Sequence, residues 1–135
     1  SNDYILVLSA HSQIINCEFG KIKDLLDKHC VVFGKQTPIY RGKKITPRYV
    51  WSHFEEHDIV NQFSSNENRY FLHNAFTFYK KDTLLKYPFN ETLSTKEDRY
   101  WINDRIEEGM DSYYDSVTTC YHHYTTNGAT WKGIG

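Results

Sequence analysis

Tyr4-Ile5-Leu6-Val7-Leu8 is an unbroken apolar run of strand length that stops at Ser9-Ala10-His11-Ser12, the pattern of a buried strand delivering a polar loop. From Glu18 to His29 the apolar positions Phe19, Ile22, Leu25 and Leu26 fall on one helical face. Cys30 to Gly34 follows as a second short strand, so the chain opens β-α-β. Pro38, Gly42 and Pro47 punctuate residues 35 to 47 as a loop, and 48 to 58 reads as a short helix. Asn61 to Arg69 is polar. Tyr70 to Tyr79 alternates loosely about Phe71, Phe76 and Phe78 as a strand, and Lys81 to Tyr87 is a short helix ended by Pro88. Glu97 to Gly109 sets Trp101, Ile102 and Ile106 at helical spacing, with Gly109 as the stop. Ser112 to Tyr121 is a last strand around Tyr114, Val117 and Cys120, and the polar, glycine-containing tail from Tyr121 to Gly133 reads as mobile.

With 135 residues the chain has room for one core, which makes residues 1 to 135 a single domain. Its 39% hydrophobic and 24% charged content marks a folded chain rather than a disordered one. The aromatic surplus, 11 Tyr, 8 Phe and 3 Trp, suits either a grip on polar ring-shaped ligands or a Tyr-rich core. A formal net charge of -1, with basic residues spread along the chain, excludes nucleic acid as a partner. The one basic cluster, Arg41-Gly42-Lys43-Lys44 with Arg48 beyond, is a solvated loop that could face phosphates. Cys17, Cys30 and Cys120 show no CxxC spacing, which points away from a disulfide framework or a Cys-ligated zinc and toward a reducing, cytoplasmic setting. The longest apolar run is far shorter than a membrane span.

Two stretches carry chemistry. In Lys96-Glu97-Asp98-Arg99-Tyr100-Trp101 two adjacent carboxylates open an amphipathic helix, with Thr95 as N-cap and Asp98 completing a box-like start. Carboxylates there complement the helix dipole or serve as a catalytic base. His53-Phe54-Glu55-Glu56-His57 matches HxxEH, so a zinc peptidase using His53, Glu56 and His57 is one alternative; an exposed charged helix is the other. His122 and His123 are adjacent on a strand and point to opposite sides, so only one can join a given site. His11 follows the first strand, at the kind of element end where open α/β sheets bind ligands.

Taken in order, Tyr4 to Ser12, Phe33 to Pro38, Phe71-Leu72-His73-Asn74-Ala75-Phe76, Pro88 to Leu93, Lys96 to Trp101 and His122-His123 resemble the second half of a family 2 glycosyltransferase of the GT-A fold. The resemblance implies an α/β fold, a mixed sheet flanked by helices, forming a partial GT-A domain without the N-terminal nucleotide-binding half. It implies an inverting sugar transfer from a nucleotide-sugar donor to a saccharide acceptor in polysaccharide biosynthesis. Asp98 would be the base and Glu97 its neighbour on the acceptor, with Gln36, Asn74, Arg99 and Trp101 binding substrate. Ser9-Ala10-His11 stands where the family carries Asp-x-Asp, so a divalent cation, Mn²⁺ or Mg²⁺, would fall to His11 with His122 or His123. Asn90 replaces the usual Asp before Glu91. Against this pattern the chain is expected to be the acceptor-side half, inactive alone. The full-length enzyme would associate peripherally with the cytoplasmic face of a membrane. An uncovered sheet edge would favour a homo-oligomer. A non-catalytic carbohydrate-binding or interaction module is the competing expectation.

Overall fold

The computed structural model describes residues 3–40, 43–44, 53–89 and 97–124. The strands are β1 (Tyr4–Leu8), β2 (Ser12–Asn16), β3 (Val31–Tyr40), β4 (Lys43–Lys44), β5 (Ile59–Val60), β6 (Phe63–Ser64), β7 (Arg69–Tyr70), β8 (Phe76–Lys80) and β9 (Ser112–Tyr124). The helices are α1 (Phe19–Leu26), α2 (Lys81–Lys86) and α3 (Glu97–Glu107). One mixed sheet runs in the order β1-β8-β3-β9-β2, with β4 added to β3 and β5 to β9, and β6-β7 forms a separate hairpin. Among the described residues, β3 and β9 are the one pair that runs parallel. The expected mixed α/β sheet with flanking helices is therefore present.

Side-chain alternation along β3 and β8 divides the core in two. Val32, Phe76 and Phe78 meet Ile22 and Leu26 of α1. Val31, Phe33 and Tyr79 instead meet Phe71, Leu72, Tyr114 and the α3 residues Trp101 and Ile102. A strand apolar on both faces has to be covered on both, and α1 and α3 do so.

Several elements depart from the sequence expectation. Residues 35 to 40 continue β3 rather than forming a loop, because the polar Gln36 finds partners in the interior and the segment pairs with β9 through Tyr124. Ser12, expected as the end of a loop, instead opens the edge strand β2, which runs to Asn16 on β9 where the sequence pattern marks no element. The strand expected from Tyr70 to Tyr79 is interrupted: β7 ends at Tyr70, and 71–75 is irregular before β8 begins. Residues 54–58 are not helical; the part of that expected helix from 48 to 52, the N-cap Thr95, Asn90, Glu91 and the tail from 125 onward lie outside the described residues. Most of the basic cluster does too.

The β3-β9 register jumps from Gly34↔Asp115 to Lys35↔Thr119, so Ser116, Val117 and Thr118 bulge out of β9. An odd insertion swaps faces: Tyr114 lies in the α3-side core and Cys120 in the α1-side core although both are even-numbered. Asp58 accepts the Ser116 N–H and hydroxyl at 2.8 Å each and the Tyr113 hydroxyl at 2.6 Å. From the other side Thr118 and Lys21 donate to the buried Asp115 carboxylate. Gly34 is required opposite this bulge, since a Cβ there would stand 2.6 Å from the Thr118 carbonyl oxygen and 2.6 Å from the Phe76 ring. Gly34→Ala is expected to cost on the order of 2 kcal/mol. It should appear as a lower urea midpoint at unchanged m-value, and a midpoint equal to wild type would contradict this account of the bulge.

Candidate functional site

Phe71 to Ala75 passes from the β6-β7 hairpin to β8, and the start of α3 lies against it. The Asn74 N–H donates to Asp98 Oδ2 at 3.0 Å. Asp98 Oδ1 accepts the Arg99 N–H at 2.8 Å, and Arg99 Nη1 donates to Oδ1 at 3.2 Å and Oδ2 at 3.1 Å. Asp98 and Arg99 are both buried. Four N–H contacts occupy about the four lone-pair sites a carboxylate offers. Burial pushes the Asp98 carboxyl above its ordinary value, against the Arg99 charge and these hydrogen bonds. Arg99 also lies on the Phe71 ring, 4.7 Å from its centroid, a cation–π contact that strengthens when water is excluded.

One residue back along the irregular segment, His73 extends the cluster to the sheet. Gln36 Nε2 approaches His73 Nδ1 at 3.0 Å, and Gln36 Oε1 approaches His122 Nδ1 at 3.5 Å. This arrangement makes His73 Nδ1 an acceptor and His122 Nδ1 a donor, which sets both tautomers. Burial, with the nearby His11 and His123 adding repulsion, pushes the His122 imidazole down to about 4, so it is neutral near pH 7. The Asn74 side chain accepts the hydroxyl of the fully buried Tyr79.

Five expected site residues, Gln36, Asn74, Asp98, Arg99 and His122, thus join one chain of contacts. Trp101 does not: its Nε1–H donates to the Tyr87 carbonyl, and its ring packs on Tyr79 and Phe89 in the core. Its indole N–H is thereby satisfied in the core, while the residue also borders the groove that Glu97 lines. That groove, open and of about 510 Å³, is separate from the Asp98 cluster and is lined by Glu97 and Trp101 with Lys86, Tyr87, Tyr100 and Asp104. The cluster also contains residues with no clear sequence signal. His73 is one position from an expected residue, and Glu67 lies in a stretch that the sequence marks only as polar.

His11 sits in an exposed turn, where its carbonyl accepts the His123 N–H. Among the described residues no group of three His, Cys, Asp or Glu side chains converges to hold a metal ion. His11 and His122 bring no carboxylate with them, so these residues do not fit a hard divalent cation. The HxxEH expectation loses its frame as well. His53 is buried, stacked on Phe71 at 4.0 Å and bonded to Ser64 Oγ, whereas His57 is exposed beside Glu55 and Glu56 pairs with Lys35. Two histidines that do not share a helix cannot form the one-turn ligand pair that the motif requires.

Cys17, Cys30 and Cys120 are free thiols, and burial holds Cys30 and Cys120 at about 12, too high for thiolate chemistry near neutrality. No helix among the described residues is long and apolar enough to cross a membrane. No protein-family model, curated protein sequence or solved structure matches the chain.

The low affinity of folded His122 for a proton couples stability to pH. Between about pH 6.5 and 4 the unfolded chain binds the His122 proton and the folded chain does not, so stability falls as pH drops through this window. The loss attributable to His122 is on the order of 3 kcal/mol. Thermal or urea melts across this range should show a shallower pH dependence in His122→Asn than in wild type; parallel curves would contradict it.

Proposed function

We propose that the cluster around Asp98 is the acceptor side of an inverting sugar transferase of the family 2, GT-A type, acting in polysaccharide biosynthesis. The observation that carries this reading is the contact of Asp98 with the Asn74 N–H, next in the chain to His73, which meets Gln36 and through it His122; Asp98, Asn74, Gln36 and His122 are far apart in the chain and belong to the motifs on which the resemblance rests. A nucleotide-sugar donor and a saccharide acceptor are the substrates in this reading, and the cytoplasmic face of a membrane is the place of reaction.

Asp98 takes the proton of the acceptor hydroxyl as that oxygen forms its bond to the anomeric carbon. The bond from that carbon to the nucleoside diphosphate breaks on the opposite face, and the diphosphate leaves with the bonding electrons, so the configuration inverts. A carboxylate whose proton affinity is raised by burial is a stronger base while it stays ionised. Since its acceptor sites are filled by Arg99 and Asn74, a hydroxyl reaches Asp98 only when Arg99 Nη1 gives up a contact. Glu97, facing the neighbouring groove, is available to the acceptor saccharide rather than to the base. No step in this scheme passes through a metal ion.

The full occupancy of Asp98 also favours a second reading, a non-catalytic saccharide-binding or interaction module in which the ion pair is purely structural. The two separate experimentally. In the longest natural reading frame containing this chain, Asp98→Asn should lower sugar transfer by at least about a hundredfold while nucleotide-sugar affinity stays unchanged. Undiminished turnover would remove Asp98 as the base. Saccharide binding without any transfer by the wild-type protein would establish the second reading instead.

A further inference from the structure

Glu67 lies in the turn of the β6-β7 hairpin, yet its side chain is only 1% exposed. Asn68, at φ 54°, supplies the left-handed residue that turns the chain, and the Glu67 N–H donates to Ser64 Oγ. Asn103 docks the hairpin on α3: its Oδ1 accepts the Tyr70 N–H, and its Nδ2 donates to the Tyr70 carbonyl, both at 3.0 Å. This docking carries the Glu67 carboxylate to the far side of the Arg99 guanidinium. Arg99 Nε is 3.3 Å from Glu67 Oε1, and Nη2 is 3.4 Å from Oε2. Arg69 Nε approaches Oε1 at 3.6 Å from the hairpin's wetter side. Arg69, Glu67, Arg99 and Asp98 therefore alternate in sign from the surface inward and sum to zero.

We propose that Glu67 is the positioning residue of the Asp98 site, holding the far edge of the Arg99 guanidinium so that Arg99 can yield one contact on Asp98 to an acceptor hydroxyl. The proposal rests on the reading of Asp98 as the base. Without Glu67, an Arg99 displaced by substrate would be a buried cation lacking compensation, and the exchange would be strongly opposed. With it, the guanidinium slides between two carboxylates while remaining paired. The other groups near Asp98 are Glu97 beside it on α3 and the Tyr79 hydroxyl from β8, which is bonded to the Asn74 side chain.

The experiment is a ¹³C NMR titration of the Asp98 carboxyl in the 135-residue chain, compared with two variants. Glu67→Gln leaves Arg99 to Asp98 alone and should lower the Asp98 midpoint by on the order of one unit. Arg69→Gln, altered at the solvent end, leaves Glu67 to draw more on Arg99 and should raise it. Both shifts should persist in about 0.5 M NaCl, where a through-solvent effect is screened. Should Glu67→Gln not fold, Arg69→Gln carries the test alone. An unmoved midpoint, or shifts that vanish in salt, overturns the role of Glu67 itself. Undiminished sugar transfer by Asp98→Asn overturns it differently, by removing the base it serves.

Discussion

Arg99 is a guanidinium almost withdrawn from water, and a buried cation is tolerated only where carboxylates and hydrogen-bond acceptors surround it. Asp98 and Glu67 provide them, one from the first turn of α3 and one from a hairpin turn. Three segments with little regular structure of their own are thereby fixed to each other: the helix start, the hairpin and residues 71–75. The Phe71 ring beneath Arg99 also stacks on His53, so the ion pair is continuous with the aromatic core rather than perched upon it. Removing both carboxylate partners would leave Arg99 an uncompensated buried charge, whereas removing one leaves it paired with the other.

The sheet determines where this network sits. Parallel pairing of β3 with β9 puts Gln36 and His122 close enough for a side-chain contact, and the three-residue bulge opposite Gly34 sets which face β9 presents beyond it. Two-sided packing by α1 and α3 then makes the register costly to change, because a slip would carry Phe76 and Phe78 out of one core and Tyr79 out of the other. The polar cluster is thus carried on a rigid frame at one boundary and on an irregular segment at the other. That division suits a site in which the sheet-borne residues stay fixed and an arginine shifts.

Much of this was legible in the chain. The unbroken apolar runs Tyr4 to Leu8 and Val31 to Phe33 and the acidic start and glycine stop of α3 are clear signals, and the elements appear where these signals lie. The extension of β3 through Lys35, Gln36 and Pro38 was hidden because polar residues and a proline read as loop until Gln36 is seen bonded to His73. Edge strand β2, only five residues long, has too little pattern to announce itself. Among site residues, Asp98, Asn74, Gln36 and His122 were marked by motif order. For Trp101 the chain could not show that its indole N–H meets the Tyr87 carbonyl in the core while the residue borders the groove beside Glu97. Glu67 was invisible for a related reason: a glutamate in a turn is ordinarily solvated, and only the hairpin's docking through Asn103 buries it.

The central claim is that Asp98 receives the proton of an acceptor saccharide while Arg99 moves toward Glu67. A crystal structure of the full reading frame with a saccharide acceptor and a nucleoside diphosphate bound tests it most directly. The account predicts an acceptor hydroxyl within about 3.2 Å of an Asp98 carboxylate oxygen, with Arg99 Nη1 withdrawn and its contacts to Glu67 shortened. An acceptor bound with no hydroxyl within hydrogen-bond reach of Asp98, and with all four N–H contacts on Asp98 intact, would contradict it.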